Sequence, residues 1–146
     1  MSILHNLVNF NVDKQELVLI YTLYIRSVIE QSCVVWGTSI TESESQALER
    51  IQKCALRIIY QHNYISYSNA LSKSGLTDLS TRRLKLIHTF AEKCIKNEKT
   101  KDMFPLQEQV VNTRHPEKFA VPFAYHDRFK NSAKIYMTNY LNNKYK

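Results

Sequence analysis

Residues 21–57 read YTLYIRSVIEQSCVVWGTSITESESQALERIQKCALR, and they carry the clearest fold signals of the chain. Apolar residues recur at three- and four-residue spacing through its first half, which is typical of a core helix. Asp13 and Glu16 have the spacing of a helix start, and Gly37 is expected to end the helix just after Trp36. The pattern therefore predicts one long core helix whose apolar positions include Leu17, Ile20, Tyr21, Tyr24 and Val28.

A second helix is predicted to begin at Thr41. Thr41 supplies a hydroxyl at the cap position and Glu44 a carboxylate three residues later, which is the pattern of a capping box. The helix should run to about Gln61. Its two faces differ in chemistry, since residues three and four apart share a side. The apolar face holds Leu48, Ile51, Ala55, Ile58 and Ile59, and the basic face holds Arg50, Lys53 and Arg57.

Two more helices are predicted downstream. A short one should lie within residues 64–74 and end at Gly75. Asp78 or Ser80 then caps a helix from Thr81 to about Asn97, whose expected core face is Leu84, Ile87, Ala91 and Cys94 or Ile95. These elements predict an all-α fold, a small bundle of about four helices in residues 1–103.

The rest of the chain, residues 104–146, is predicted to be an irregular tail. Three prolines interrupt any helix, and no period survives from Phe104 to Arg128. A short terminal helix is expected from Ser132 to Asn142. Apolar residues of the tail could anchor it to the bundle or to another protein, and these are Met103, Phe104, Phe119, Phe123 and Tyr136.

The charge of the chain is unevenly distributed. The net charge is +7, yet residues 1–78 hold six Lys/Arg against seven Asp/Glu, whereas residues 79–146 hold fourteen against six. A basic half suggests a polyanionic partner, nucleic acid first and an acidic membrane second. The alternative is a solvated, lysine-rich surface without a partner. The longest apolar run, Leu17 to Ile25, is too short to span a bilayer, so no membrane insertion is expected.

The cysteines indicate a compartment. Cys33, Cys54 and Cys94 are odd in number and far apart, and each has apolar helical neighbours. This pattern predicts free buried thiols in a reducing environment, and hence an intracellular protein of the nucleus or cytoplasm. No secretory signal is recognisable at the N-terminus.

Local motifs predict no catalytic residue, no metal site and no cofactor. Two-metal polymerase chemistry needs clustered carboxylates, and the chain has no Asp-Asp pair. Zinc sites need closely spaced Cys/His pairs, which are missing too. A glycine-rich phosphate loop is excluded because the chain has only two glycines.

Basic helix faces are the remaining candidate sites. Rows of lysine and arginine can follow a phosphate backbone, with affinity that falls as salt rises. The predicted nucleic-acid-binding residues are Arg50, Lys53, Arg57, Arg82, Arg83, Lys85, Lys93 and Lys96. Tyr60, Tyr64 and Tyr67 follow the first row and could stack on bases, although packing in the core is the competing interpretation.

The order of these segments resembles one known family. Residues 21–57, then Tyr64-x-x-Tyr67, the Arg82-Arg83 pair, Met103-Phe104-Pro105-Leu106 and Glu117-Lys118-Phe119 are similar to the thumb and post-thumb region of jockey-like non-LTR retrotransposon reverse transcriptases. The resemblance covers essentially the whole chain. The family places a proline after the serine of its last segment, whereas this chain has Ser132-Ala133-Lys134.

The resemblance implies a parent RNA-directed DNA polymerase whose paired catalytic aspartates lie upstream of this segment. No residue here matches them, so the chain is expected to be a catalytically incompetent C-terminal fragment: a truncated copy, a remnant or an excised piece. Thumb helices of the family grip the template–primer duplex, which implies contact with an RNA–DNA duplex or element RNA through Arg50, Lys53 and Arg57. The alternatives are a small helical protein-interaction module, docking through the tail, and a relic without function.

Overall fold

The computed structural model describes residues 1–107 and 118–145, apart from the side chain of Arg128, and most of these residues are helical. Among the described residues no strand forms, and the only β-type pairing is an isolated bridge between Leu106 and Phe119. The predicted all-α class is confirmed. The helices are α1 Ser2–Asn9, α2 Lys14–Ile20, α3 Ser27–Ile29, α4 Cys33–Trp36, α5 Glu42–Tyr60, α6 Tyr67–Ser74, α7 Leu79–Lys96, α8 Asp127–Lys130 and α9 Ala133–Lys144.

The predicted single bundle of about four helices is not matched. The chain forms two compact units, unit 1 from Met1–Gln31 with Thr41–Arg82, and unit 2 from Ser32–Ile40 with Arg83–Lys146. Each unit has its own hydrophobic core, so the helices do not share a single one. The predicted division of the sequence after residue 103 stays a prediction.

The core of unit 1 includes a helix that the sequence pattern did not indicate. Helix α1 inserts Leu4, which is fully buried. It packs with Leu17 and Tyr21 of the following helix and with the apolar face of α5, which contributes Leu56 and Ile59. Burying five such side chains stabilises the unit by several kcal/mol, at about 25 cal/mol for each Å² removed from water.

The long helix predicted from Asp13 to Trp36 is broken near its end. Asp13 caps it as expected, since its side chain accepts a hydrogen bond from the Gln15 amide. The helix continues through a π-helical turn, Tyr21–Arg26, and ends at Ile29. Ser32 then adopts a left-handed conformation with φ of 54°, which no α-helix accommodates. The chain enters unit 2 at this residue and forms α4 there.

Burial along this helix is also narrower than expected. Leu17 and Tyr21 are buried, but Tyr24 is 71% and Val28 69% exposed. The π-helical turn has more residues per turn than an α-helix, so positions beyond Tyr21 rotate away from the predicted stripe. The prediction of core positions at Tyr24 and Val28 is therefore wrong.

Helix α5 follows its prediction closely at both ends. Thr41 and Glu44 form the reciprocal capping box, with the Glu44 carboxylate accepting from the Thr41 amide at 2.7 Å. The core face differs at one position, since Ile51 is exposed and Gln52 is fully buried instead. Residues 48, 52, 55 and 59 have helical spacing and share one side of α5. A polar residue, Gln52, therefore occupies a core position.

Unit 2 is built around α7 and α9. Its core contains Ile87, Ala91 and Cys94 from α7, as expected, together with Met137 and Leu141 from α9. The predicted core residue Leu84 is 41% exposed instead, because the buried side of α7 passes through Arg83 and Ile87 at that level. The terminal helix is confirmed and runs from Ala133 to Lys144.

The predicted tail contributes directly to this core. Phe104 and Phe119 are buried in it. The Phe119 backbone exchanges two hydrogen bonds with the buried Asn142 side chain, which donates from Nδ2 at 3.0 Å and accepts at Oδ1 at 2.8 Å. The middle of the predicted irregular stretch, residues 108–117, lies outside the described residues.

Two smaller expectations concern cysteines and membranes. Cys33 and Cys94 are buried thiols outside any disulfide, as predicted, but Cys54 is exposed on α5, because it lies beside the basic face and away from the apolar one. Within the described parts of the chain, none of the helices is both long enough and apolar enough to cross a membrane.

Candidate nucleic-acid interface

The basic residues of α5 lie together on one exposed side of unit 1. Arg50, Lys53 and Arg57 are all exposed, at three- and four-residue spacing along a 19-residue helix. We call them the α5 stripe. With a rise of 1.5 Å per residue, the stripe is about 10 Å long, close to the length of three base-pair steps of a duplex.

Two tyrosine rings form cation–π contacts with the α5 stripe. The Lys53 ammonium lies 5.1 Å from the centre of the Tyr67 ring, and the Arg57 guanidinium lies 5.5 Å from that of Tyr64. Cation–π contacts of this kind restrain long side chains that are otherwise free in water. Because the rings carry these cations, and Tyr60 is buried, the structure favours packing over base stacking for the three tyrosines.

A buried polar network holds Tyr67 in place. Gln52 donates from Nε2 to the Tyr67 hydroxyl at 2.8 Å and to the Thr77 carbonyl at 3.0 Å, and it accepts from the Tyr21 hydroxyl at 2.9 Å. The Tyr67 hydroxyl donates in turn to Glu49. Burial and the Glu49 carboxylate raise the pKa of Tyr67, so its hydroxyl stays a donor at neutral pH. Sequence reasoning missed this network, and the polar residue at a core position of α5 was its only signal.

Glu49 lies beside the basic face of α5 and accepts structural hydrogen bonds. Glu49 also accepts a hydrogen bond from the Leu79 amide at 3.0 Å, which is one of the free N–H groups at the start of α7. Its charge is thus used at a helix N-terminus and at Tyr67, and it does not form an ion pair with the α5 stripe.

Both side chains of the Arg82-Arg83 pair have partners within the protein. Arg82 Nε donates to the carboxylate of Glu30 at 2.9 Å inside unit 1. Arg83 is buried in unit 2, with its guanidinium 5.9 Å from the Trp36 ring centre. Neighbouring positions on a helix point to different sides, so the pair cannot present both charges together. We therefore leave both arginines out of the proposed interface.

The remaining predicted residues lie together on α7. Lys85, Lys93 and Lys96 are exposed in unit 2 and recur on the same side of the helix, with Thr89 between them. We call these three lysines the α7 row. It extends over about 16 Å at a rise of 1.5 Å per residue.

The acidic neighbour of the α7 row is already engaged. Glu92 accepts a hydrogen bond from the Tyr140 hydroxyl at 2.7 Å and a further one from the Lys144 ammonium. The Lys144 contact, followed by that of Tyr140, holds the pKa of Glu92 below its ordinary value. Its charge is offset locally by Lys144, which leaves the positive charge of the row largely unopposed.

The expected tail anchors divide into two groups. Phe104 and Phe119 are buried within unit 2, and Tyr136 is half-buried beside His88. Met103 and Phe123 are exposed. The residues that were to bind a partner protein mostly serve the unit itself, which weakens the interaction-module interpretation.

The described residues include no group of three or more His, Cys, Asp or Glu side chains that could hold a metal ion. What the two basic faces can do is bind anions by charge and hydrogen bonding. No protein-family model, curated protein or solved structure matches the chain significantly.

Proposed function

We propose that this chain binds nucleic acid without sequence preference, as a thumb-like C-terminal segment related to the reverse transcriptases of non-LTR retrotransposons. The observation that carries the proposal is the pair of basic faces, the α5 stripe and the α7 row, each with three exposed cations on one side of a long helix. On this proposal, polymerase chemistry belongs to other parts of the parent enzyme.

The composition of the two faces supports backbone contact without base readout. Contacts of lysine and arginine with phosphates carry no sequence information, whereas bases are read only by side chains, arginine and amides among them, that an element inserts into a groove. Exposed polar side chains do lie beside the cations, Gln46 on α5 and Thr89 on α7, but each is hydrogen-bonded within its own helix, to Glu42 and to the Lys85 carbonyl. The tyrosines that could stack on bases support Lys53 and Arg57 instead.

The test is a titration of a fluorescent RNA–DNA hybrid of about sixteen base pairs at several salt concentrations. We expect the logarithm of the affinity to fall linearly with the logarithm of salt concentration, because bound cations displace counterions. Arg50→Gln/Lys53→Gln/Arg57→Gln should lower the magnitude of the slope by about one for each contact removed. Hybrids of unrelated sequence should bind equally.

The control removes two charges from unit 1 at other sites. Lys14 and Lys73 are exposed on α2 and α6, outside the α5 stripe. Lys14→Gln/Lys73→Gln should leave the slope within error of the unmodified protein. Binding that has no salt dependence, or that falls equally in both variants, contradicts the proposal.

Cys54 offers an independent measurement. It is exposed beside the stripe, four residues after Arg50 and three before Arg57, whereas the other two cysteines are buried. Nucleic acid on the stripe should therefore slow alkylation of Cys54 by a maleimide. An unchanged rate at saturating hybrid would show that the bound nucleic acid lies elsewhere.

A further inference from the structure

Unit 2 contains a cavity that neither basic face uses. It has a volume of about 620 Å³ and lies where the end of α7, the turn Lys101–Met103 and the bridged segments around residues 106 and 119 meet. Ligand sites commonly have volumes of about 300–1,000 Å³, so the cavity can hold a small molecule. It was not apparent from sequence, because its walls come from distant positions in the chain.

The walls of the cavity are mostly apolar. Ile95 comes from the last turn of α7, Pro105 and Leu106 form one bridged segment, and Phe119 lies on the other. The two segments are held by backbone hydrogen bonds, from Gln107 to Lys118 at 3.0 Å and from Ala120 to Pro105 at 2.9 Å. The walls therefore suit a flat apolar body, and the backbone pairing keeps them in place.

Three charged side chains line the same space, and these are Lys101, Asp102 and Lys118. Among the described residues, none of the three takes part in an ion pair. The Lys118 ammonium lies 5.9 Å from the Phe119 ring centre and 5.4 Å from that of Tyr145. These contacts hold the ammonium at the apolar wall, where its three N–H donors can meet an anion.

We propose that this cavity binds a small molecule with an apolar body and a single negative charge, such as an aromatic carboxylate or sulfonate. Two ammonium groups attract an anion, and Asp102 offsets one of them, so the net charge of the lining suits a monoanion better than a phosphate dianion. The low-dielectric walls strengthen that attraction relative to open water.

The probe for this test is 8-anilino-1-naphthalenesulfonate, whose fluorescence increases in apolar surroundings. One molecule should bind per chain, and more tightly than its uncharged analogue N-phenyl-1-naphthylamine. Lys101→Gln/Lys118→Gln should weaken binding of the sulfonate about ten-fold or more, since a lost charge-assisted contact corresponds to at least a factor of ten. Binding of the uncharged analogue should stay the same.

Two further variants keep the result interpretable. Lys99→Gln/Lys134→Gln removes the same charge from exposed positions of unit 2 outside the cavity, and it should bind the sulfonate as before. Asp102→Asn should bind it several-fold more tightly, because the opposing carboxylate is gone. Because the sulfonate also binds loosened proteins, the increase supports the proposal only if one molecule still binds per chain and the circular dichroism spectrum is unchanged.

Several outcomes overturn the proposal. One is equal weakening in both lysine variants, which would assign the effect to net charge. Another is a lack of preference for the sulfonate over the uncharged analogue. A third is unchanged or weaker binding by Asp102→Asn, and a fourth is binding of several probe molecules per chain.

Discussion

Residue 52 shows how one side chain can organise a core. Gln52 has no exposed surface, and its side-chain amide is hydrogen-bonded to three residues of unit 1: Tyr21, Tyr67 and Thr77. A buried amide is tolerated only when its donors and acceptor are paired, as they are here. The network connects the core of the unit to the tyrosine beneath Lys53.

Replacing Gln52 by leucine should therefore destabilise the protein despite the added apolar surface. The Tyr21 hydroxyl would lose its partner while still buried, at about 1–3 kcal/mol, and the bonds to Tyr67 and Thr77 would be lost as well, so we expect a loss of about 2–4 kcal/mol. Urea unfolding followed by circular dichroism measures it. Gln46→Leu is the control, since Gln46 is exposed and bonded only to Glu42, and it should change stability by less than about 0.5 kcal/mol.

His88 is a second residue with a measurable signature. Its ring stacks on Tyr140 at 3.8 Å between centroids, with 3° between the planes, and its Nε2 lies 3.2 Å from the Tyr136 hydroxyl. Burial lowers the pKa of His88, Glu92 opposes this change, and Lys144 adds to it. The folded unit thus favours the neutral ring.

The sign of the pH dependence follows from that direction. Below the ordinary histidine pKa of 6.5, the unfolded chain binds a proton more readily than the folded one, so stability should fall as pH falls through this range. The His88→Phe variant keeps an aromatic ring there and should lose this part of the dependence. Urea midpoints between pH 5 and 7.5 test it, and identical profiles for both proteins would contradict it. The lowered pKa of Glu92 acts in a separate range, below 4.5.

Among the helices, α5 has one well-capped end and one end with a strained backbone conformation. The capping box at its start satisfies the free amides with side chains that suit the role. Its end is less favourable, because Gln61 has φ of 42° and ψ of −119°, a conformation that glycine adopts readily and other residues rarely do. The strained residue lies where the chain turns from α5 towards α6.

Substituting glycine at this helix end should stabilise the protein. Gln61→Gly relieves the strain of a positive φ, and we expect a gain of about 1 kcal/mol after the added entropy of the unfolded chain is subtracted. The same substitution within the helix, Gln46→Gly, should cost about 1 kcal/mol, since glycine is a poor helix former. Thermal or urea unfolding distinguishes the opposite signs, and destabilisation by both would refute the assignment of strain.

For the molecule as a whole, the uneven charge follows the division into two units. Unit 1 has seven basic and seven acidic residues, so the net charge of +7 belongs entirely to unit 2. The α5 stripe is a local feature of a neutral unit, whereas the α7 row lies within a positive field. Charges contribute at distances up to about 10 Å at 0.1 M salt and about 30 Å at 0.01 M.

This distribution predicts an order of effects on nucleic-acid binding. Lys85→Gln/Lys93→Gln/Lys96→Gln should reduce affinity for the hybrid more than the α5 triple variant at about 0.01 M salt, and the difference should shrink at about 0.2 M as screening removes the long-range part. The measurement is a titration of both variants at the two salt concentrations. A larger loss from the α5 variant at low salt would contradict it.

Much of the helical structure was predictable because its signals are local. Asp13, Thr41 and Gly75 mark helix ends through hydrogen bonds or φ angles that involve only a few neighbouring residues. The break at Ser32 and the exposure of Tyr24 were not predictable, since both depend on which unit the chain enters and on a π-helical turn. The basic faces follow the same rule: the spacing of the α5 stripe is local, whereas the burial of Arg83 depends on Trp36.

The all-α class, the caps, the basic side of α5 and the uneven charge follow from residue type and helical period alone. Tertiary packing was needed to establish that there are two cores, that Gln52 lies in one of them, and that Phe119 packs with α7 and α9 in the other. It also decided which cations are free for a ligand. The physical reason is that burial is a property of pairs of distant segments, and residues 104, 119 and 141 meet only once the chain has folded.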